Sequence, residues 1–398
     1  MSGFPAEKRY AALDGLRAVA ILLVVALHVA HPLYLVLGDS FVPLGSVPFT
    51  WFLLNGWVGV QLFFVLSGFL ITGQLLSLER SGDARYQVFH FWKKRFFRIA
   101  PAYYIILILL CLTVAVETPA PDAADLYGLT GQFLSHALFM QDTYPVNLPH
   151  VFYLWSLATE MKFYALSPFI VMGLLRLREA ARLPVLASII MILLALKVII
   201  FIEYGPAPTQ LAFFLDIRRP FYMAIDSLMV GMICQCAWQN RHIRDLLTRK
   251  IWSFSLLYGG IGLAVALMAF THPYLDDSGA GLGFFQHTFF FTLIAIAFGM
   301  ILLGLICGAQ GAGLFECGFL GKISTISYSL YLIHPLLVTV SISLVQLLVP
   351  FISSPFLIWL FSFAVVLILS AGPSLLLYHY VEKRFIIWSK RPSDKKRT

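Results

Sequence analysis

The sequence predicts an all-α protein, a polytopic transmembrane helix bundle of about ten spans with both termini cytoplasmic. Three observations lead there. Of 398 residues, 60% are hydrophobic and only 12% charged, whereas a water-soluble domain carries about 25% charged residues. Mean hydropathy is +0.84, and apolar runs of about 20 residues, the length of a membrane-crossing helix, recur from end to end. Basic residues gather between those runs rather than being spread evenly. A soluble fold, disorder and collagen are thereby excluded, because 35 Phe, 17 Tyr and 8 Trp give an aromatic-rich chain with no low-complexity tract. No polar stretch is long enough for a second core. The chain reads as one membrane domain over 1–398, a helical bundle at 10–385 followed by a basic cytoplasmic tail at 386–398.

The spans fall near residues 16–37, 57–77, 99–118, 151–175, 184–204, 220–238, 251–271, 285–307, 323–349 and 355–379. An even number of crossings puts both termini on one side. With the termini inside, 24 of the 28 Lys and Arg belong to inside segments, Lys162 and Lys197 fall within spans, and Arg218 and Arg219 alone lie outside. That is the bias that orients membrane proteins. Residues 125–141 are moderately apolar but short and carry Gln132 and His136. They read as re-entrant or interfacial, since an extra crossing would turn the later basic loops outward. The first run is too long for a signal peptide and carries polar residues. The net charge of +8 thus speaks to topology rather than to nucleic acid. The five cysteines suggest neither disulfides nor a metal site, Cys234-x-Cys236 lacking further ligands.

Ionisable groups within spans are costly and mark function by default. The first span holds Asp14, Arg17 and His28. Arg17 and His28 are eleven residues apart, which returns to within about 20° of one helix face over roughly 16 Å. That stripe suits a long anionic molecule entering from the cytosol with its reactive end near an imidazole, the usual general base at neutral pH. A snorkelling Arg17 and a packing His28 would fit the same spacing. Asp14 can hold Arg17 across one turn or simply cap the helix. Lys94, Arg95 and Arg98 are the strongest basic cluster bordering a span, suited to phosphate or to setting topology. Glu160 lies in the fourth span, and Lys162, two residues on, points elsewhere.

Five motifs resemble the acyltransferase-3 family of integral membrane O-acyltransferases, in the family's order and over essentially the whole chain. LDGLRAVAILLVVALHV is similar to its opening helix, with Arg17 and His28 at the family's spacing. GVQLFFVLSGFLIT (Gly59 to Thr72) resembles its Phe-Phe-x-x-Ser-Gly signature, and FWKKRFFRIAPAYY (Phe91 to Tyr104) its basic segment, with Lys94 and Arg98 in the Lys/Arg-x-x-x-Arg positions. LWSLATEMKFY (Leu154 to Tyr164) resembles the Trp-Ser-Leu-x-x-Glu motif, and ISYSLYLIHPLL (Ile326 to Leu337) the late Tyr-x-x-His-Pro helix. Glu160, Met161 and Lys162 stand where the family has Glu-Glu-Gln, so the second carboxylate is lost. Lys162 is open to pairing with a phosphate, a lipid headgroup or the surroundings of Glu160. Without an appended hydrolase-like domain, the chain is expected to be a stand-alone form.

The resemblance implies transfer of an acyl group, commonly acetyl, from cytosolic acyl-CoA to a sugar hydroxyl on a surface or lipid-linked glycan, at the bacterial inner membrane. Acetyl-CoA would be a donor substrate, with no permanently bound cofactor. In this reading His28 is the base or the acyl carrier, and Asp14, Arg17, Lys94, Arg95 and Arg98 hold the donor. Glu160 orients His28, bonds the acceptor, or is a protonated structural carboxyl. Ser67 with Gly68 serves packing or lines the site. Arg218 and Arg219 bind an anionic acceptor or anchor at the interface, and Tyr331 with His334-Pro335 binds acceptor or forms a kink. The competing reading is a secondary transporter or lipid-sugar flippase with His28, Glu160 and Lys162 as a proton relay. It would show as symmetry between halves, which the sequence lacks.

Overall fold

Hydrocarbon offers no hydrogen-bond partners, so a segment crossing it must pair its own backbone groups, as a helix does. In the computed structural model the described residues, 6–37, 49–78, 84–117, 123–143, 152–270 and 283–390, are accordingly almost all helical. The main helices are α1 (Ala6–Leu37), α2 (Val58–Leu78), α3 (Ala84–Glu117), α4 (Ala123–Ala137), α5 (Trp155–Leu175) and α6 (Glu179–Tyr204). They continue as α7 (Phe221–Gln239), α8 (Lys250–Phe270), α9 (Phe290–Ile306), α10 (Gly318–Ile333), α11 (Val338–Leu348) and α12 (Pro355–Leu377). A terminal helix, Lys383–Ser389, runs past the bundle boundary expected at 385. The rest of the expected tail, 391–398, lies outside the described residues.

Where ten spans were expected, 8 helices among the described residues are long and apolar enough to cross a membrane. The other two expected spans are also helical. α5 has 21 residues but carries Glu160 and Lys162, and α9 has 17, short of the roughly 20 a crossing needs. Two boundaries differ from expectation. The basic segment expected ahead of the third span belongs to it: α3 is one helix of 34 residues, so Lys94, Arg95 and Arg98 sit on its side. The ninth run is broken into α10, a 3₁₀ turn at His334–Leu337, and α11, because Pro335 has no N–H with which to continue the α-helix.

α1 and α2 form the centre. Their spans are 61% and 72% buried in protein, against 17% for α6 and 28% for α8 and α12, which turn Ile192, Ile199, Ile202 and Ile368 outward. Lipid tails are as apolar as leucine, so helices meet where small residues let backbones close in. A Cβ on Gly68 of α2 would lie 2.0 Å from the Leu228 carbonyl of α7, and one on Gly231 would lie 2.2 Å from the Val65 carbonyl. Gly59 seats α2 on α1 in the same way. α6 is tied to the interior by charge: Lys197 Nζ is 2.7 Å from Asp226 Oδ2, with the two side chains 2% and 1% exposed. Thr292 and the Ser227 N–H complete the coordination of that carboxylate.

α4 has 15 residues, too few to cross. Its last carbonyls, beyond the helical ladder, accept from α3: Tyr103 OH donates to His136 O at 2.9 Å, beside the Phe139 N–H, and Tyr104 OH to Ala137 O at 2.8 Å. Both tyrosines lie within the α3 span, Tyr86–Val114, so the end of α4 is held against the side of that helix. The chain turns there through Phe139, at φ 55°. It is held by Gln141 Nε2 on Leu154 O at 2.9 Å and by Asp142 on Lys162. In this non-helical turn Phe139, Gln141 and Asp142 are buried, while Leu138 and Met140 are exposed.

Gly231→Leu should lower the unfolding temperature of the detergent-solubilised protein by several degrees, since overpacking a tight contact costs about 1–3 kcal/mol. Gly262→Leu is the control, because nothing lies within 4 Å of a Cβ there, and its unfolding temperature should match the parent.

Candidate functional site

Helical spacing assembles the site. On α5, Ser156, Glu160 and Tyr164 recur every four residues and share one face, and Ser67 and Gln74 of α2 are two turns apart. Arg95 and Arg98 of α3, Gln235 and Gln239 of α7, Tyr328 and Tyr331 of α10, and Arg17 of α1 close the ring. These side chains line a cavity of about 660 Å³, within the range of small-molecule sites. Its wall carries three arginines and one carboxylate, a surplus of positive charge that a ligand bearing several negative groups would neutralise.

The geometry within the cavity is fixed by backbone defects and their repairs. Pro168 has no N–H, so the carbonyl of Tyr164 loses its helical donor. The indole Nε1 of Trp92 donates to that oxygen at 3.0 Å, locking α3 to α5. Tyr164 OH and Ser67 Oγ then both donate to Glu160 Oε1, Ser67 at 2.7 Å. Ser67 therefore lines the site and does more than allow close packing, which is the part played by its neighbour Gly68. Arg95 donates to Gln74 Oε1, stands 5.5 Å and 5.6 Å from the rings of Phe91 and Tyr164, and keeps a buried Nε without a partner. Arg17 is bonded to Asp14, which also accepts from Ser324. Lys94, one of the motif positions, is absent from the cavity wall, and Arg95 occupies it together with Arg98.

His28 is not in the wall either. Tyr331 ends the cavity there, its hydroxyl donating to the Tyr153 carbonyl and accepting from Ser156 Oγ at 2.7 Å. Behind it, His334 lies 5.9 Å from the Tyr331 ring and 4.9 Å, edge-on, from His28. Glu160 bonds Ser67 and Tyr164, and His28 bonds Val24 and His334. Among the described residues the expected contact between Glu160 and His28 is thus not made. His334 is fully buried beside His28.

Lys162 is paired within the protein, with a partner the sequence did not point to. Its Nζ is 2.6 Å and 2.8 Å from the two oxygens of Asp142, whose side chain is fully buried. Arg219 is buried near Asp142 and Asp216 rather than presented to an outside anion. Burial draws its guanidinium below its ordinary pKa, and the two carboxylates oppose that. Arg218 lies 4.4 Å from the centre of the Trp57 ring, close enough to act electrostatically on His28 and Tyr331. Tyr164, Gln74, Ser156 and Asp142 were not singled out from the sequence. The four-residue spacing around Glu160 signalled the first and third. Among the described residues no cluster of His, Cys, Asp and Glu is placed to hold a metal.

A family model described as an acyltransferase domain matches residues 10–375. The chain is similar to the putative peptidoglycan O-acetyltransferase YrhL of Bacillus subtilis, 29% identical over 58% of this chain and 34% of that protein. It is 25% identical to the peptidoglycan O-acetyltransferase OatA of Listeria monocytogenes, over 98% of this chain and 60% of that protein. It is 28% identical to the O-acetyltransferase OatA of Staphylococcus aureus, over 85% and 52%. The chain thus matches about a third to three-fifths of these relatives' length. No solved structure matches it.

Lys162→Ala should cost about 3–5 kcal/mol, because it leaves Asp142 buried and unpaired. The double variant Lys162→Met/Asp142→Leu should recover much of the loss. Thermal unfolding in detergent checks both.

Proposed function

The chain belongs to the acyltransferase-3 family, and on that footing we propose that it is a membrane O-acyltransferase moving an acyl group, acetyl first, from acyl-CoA to a glycan hydroxyl. The observation that carries this is the arginine-lined cavity ending at Tyr331 with His28 just beyond. Coenzyme A is long, ends in phosphates and carries its thioester at the far tip. Arg17, Arg95 and Arg98 suit the phosphates through paired hydrogen bonds, and the unpartnered Nε of Arg95 is one donor such a ligand would use. The thioester then reaches toward Ser156 and Tyr331.

The acceptor approaches from the opposite side of the membrane. His28 takes the proton from the attacking hydroxyl, the new oxygen–carbon bond forms, the carbon–sulfur bond breaks, and the proton passes to the leaving thiolate. Glu160 anchors the wall through Ser67 and Tyr164, and Lys94 contributes to inside charge. Arg218 and Tyr331 border the place where acceptor and donor meet. The relatives' names make peptidoglycan the first acceptor to test. We place the protein in the bacterial cytoplasmic membrane with ten crossings, α5 and α9 included. Both termini are inside, in keeping with the inside excess of basic residues, and α4 is re-entrant.

In nanodiscs with acetyl-CoA and peptidoglycan strands, the protein should transfer acetyl, and His28→Ala should abolish transfer while eluting as folded protein. Full activity in that variant would remove His28 from the chemistry. Arg95→Ala and Arg98→Ala should each raise the KM for acetyl-CoA about tenfold or more, the loss of a charge-assisted hydrogen bond. Lys94→Ala should change it less than threefold, and equal effects at all three positions would return the arginines to topology.

A further inference from the structure

Two imidazoles meet edge to edge behind Tyr331, and their hydrogen bonds decide where their protons sit. His28 Nδ1 is 2.8 Å from the Val24 carbonyl, and His334 Nδ1 is 2.9 Å from the Leu330 carbonyl. A carbonyl only accepts, so each Nδ1 bears the hydrogen. The remaining nitrogen of neutral His334, Nε2, is then an acceptor, and it lies 3.4 Å from His28 Nδ1. The His28 Nδ1–H is shared between a carbonyl and an imidazole nitrogen, a three-centre arrangement. The one site left on His28 for a proton is its own Nε2.

The surroundings keep His334 Nε2 an acceptor. The two phenols nearest it, Tyr331 at 5.9 Å and Tyr153 at 6.2 Å between ring centres, have spent their hydroxyl protons elsewhere. Tyr331 donates to the Tyr153 carbonyl, and Tyr153 donates to the Leu332 carbonyl at 3.0 Å. No carboxylate among the described residues is bonded to either imidazole. The ring is placed by the turn that Pro335 imposes, with His334 the first residue of the 3₁₀ segment and 0% exposed.

We propose that His334 is the positioning residue of the reaction. Together with Val24 O it holds His28 in the Nδ1–H form, leaves Nε2 as the base, and gives the imidazolium formed on proton transfer a second acceptor. In soluble hydrolases a buried carboxylate holds the histidine in this way. Within a bilayer a neutral nitrogen does so without placing a fixed negative charge in hydrocarbon. The inference rests on the reading of His28 as the base.

The test compares His334→Leu, which keeps bulk and loses the acceptor, with His334→Gln, whose side-chain carbonyl can accept. Both are assayed as full-length protein in nanodiscs with acetyl-CoA and peptidoglycan strands. His334→Leu should lower kcat about 30-fold, the worth of one hydrogen bond to a charged group, with the KM for acetyl-CoA within twofold of the parent. His334→Gln should be at least tenfold faster than His334→Leu. Wild-type kcat in His334→Leu, equal losses in the two variants, or an effect confined to KM would overturn the proposal. Should His334→Leu elute as aggregate, His334→Met takes its place under the same criteria. His28→Ala in the same assay separates the two ideas. Full activity there overturns the base itself, whereas its inactivity beside a wild-type His334→Leu overturns only the positioning role.

Discussion

A polar group in hydrocarbon has no water to fall back on, and this architecture is shaped by where each one finds its partner. Pro168 takes a donor from Tyr164, and Trp92 supplies one from the neighbouring helix. The end of α4 leaves carbonyls open, and Tyr103 and Tyr104 close them. Lys197 meets Asp226, and Lys162 meets Asp142. Each repair is also a tether between helices, where packing has little hydrophobic help. The site inherits its rigidity from these tethers: the bond from Trp92 to Tyr164 holds α3, with its arginines, against α5, with Glu160.

The same accounting divides the polar interior into two compartments. On one side, arginines outnumber carboxylates around an open cavity, and Arg95 keeps a donor nitrogen unused. On the other, two imidazoles satisfy one another and two carbonyls, with no charge between them. Tyr331 stands at the partition and is bonded to both strands of the turn entering α5. A charged ligand and an uncharged hydroxyl could thus be kept apart until the groups that react are adjacent.

Much of this was legible in the sequence. Apolar runs of helical length fixed the positions of the helices, and the rarity of charges within them drew attention to Asp14, Arg17, His28 and Glu160. The pairing of Asp14 with Arg17 follows from a spacing of three. Contacts between helices were not legible, because periodicity reports a face and never what lies across from it. The pairing of Lys162 with Asp142 was hidden for that reason: Asp142 follows a short segment that hydropathy marks only weakly. The motif spacing favoured Lys94 and Arg98 because a four-residue interval selects one face, whereas the cavity is lined from Arg95 and Arg98, three apart on a helix longer than the apolar run implied. His334 read as binding acceptor or forming a kink with Pro335, and only the neighbouring helix reveals the imidazole it faces.

The two lysine–aspartate pairs bear on how the chain is made. Asp142 precedes Lys162 by 20 residues, and Lys197 precedes Asp226 by 29. In each case one charge leaves the ribosome before the group that neutralises it has emerged from the exit tunnel. A lone charge in lipid is costly, so each ion pair favours joint settling of the two segments that carry it. Biogenesis by pairs of segments, α6 with α7 and the turn after α4 with α5, would keep each charge matched as it leaves water.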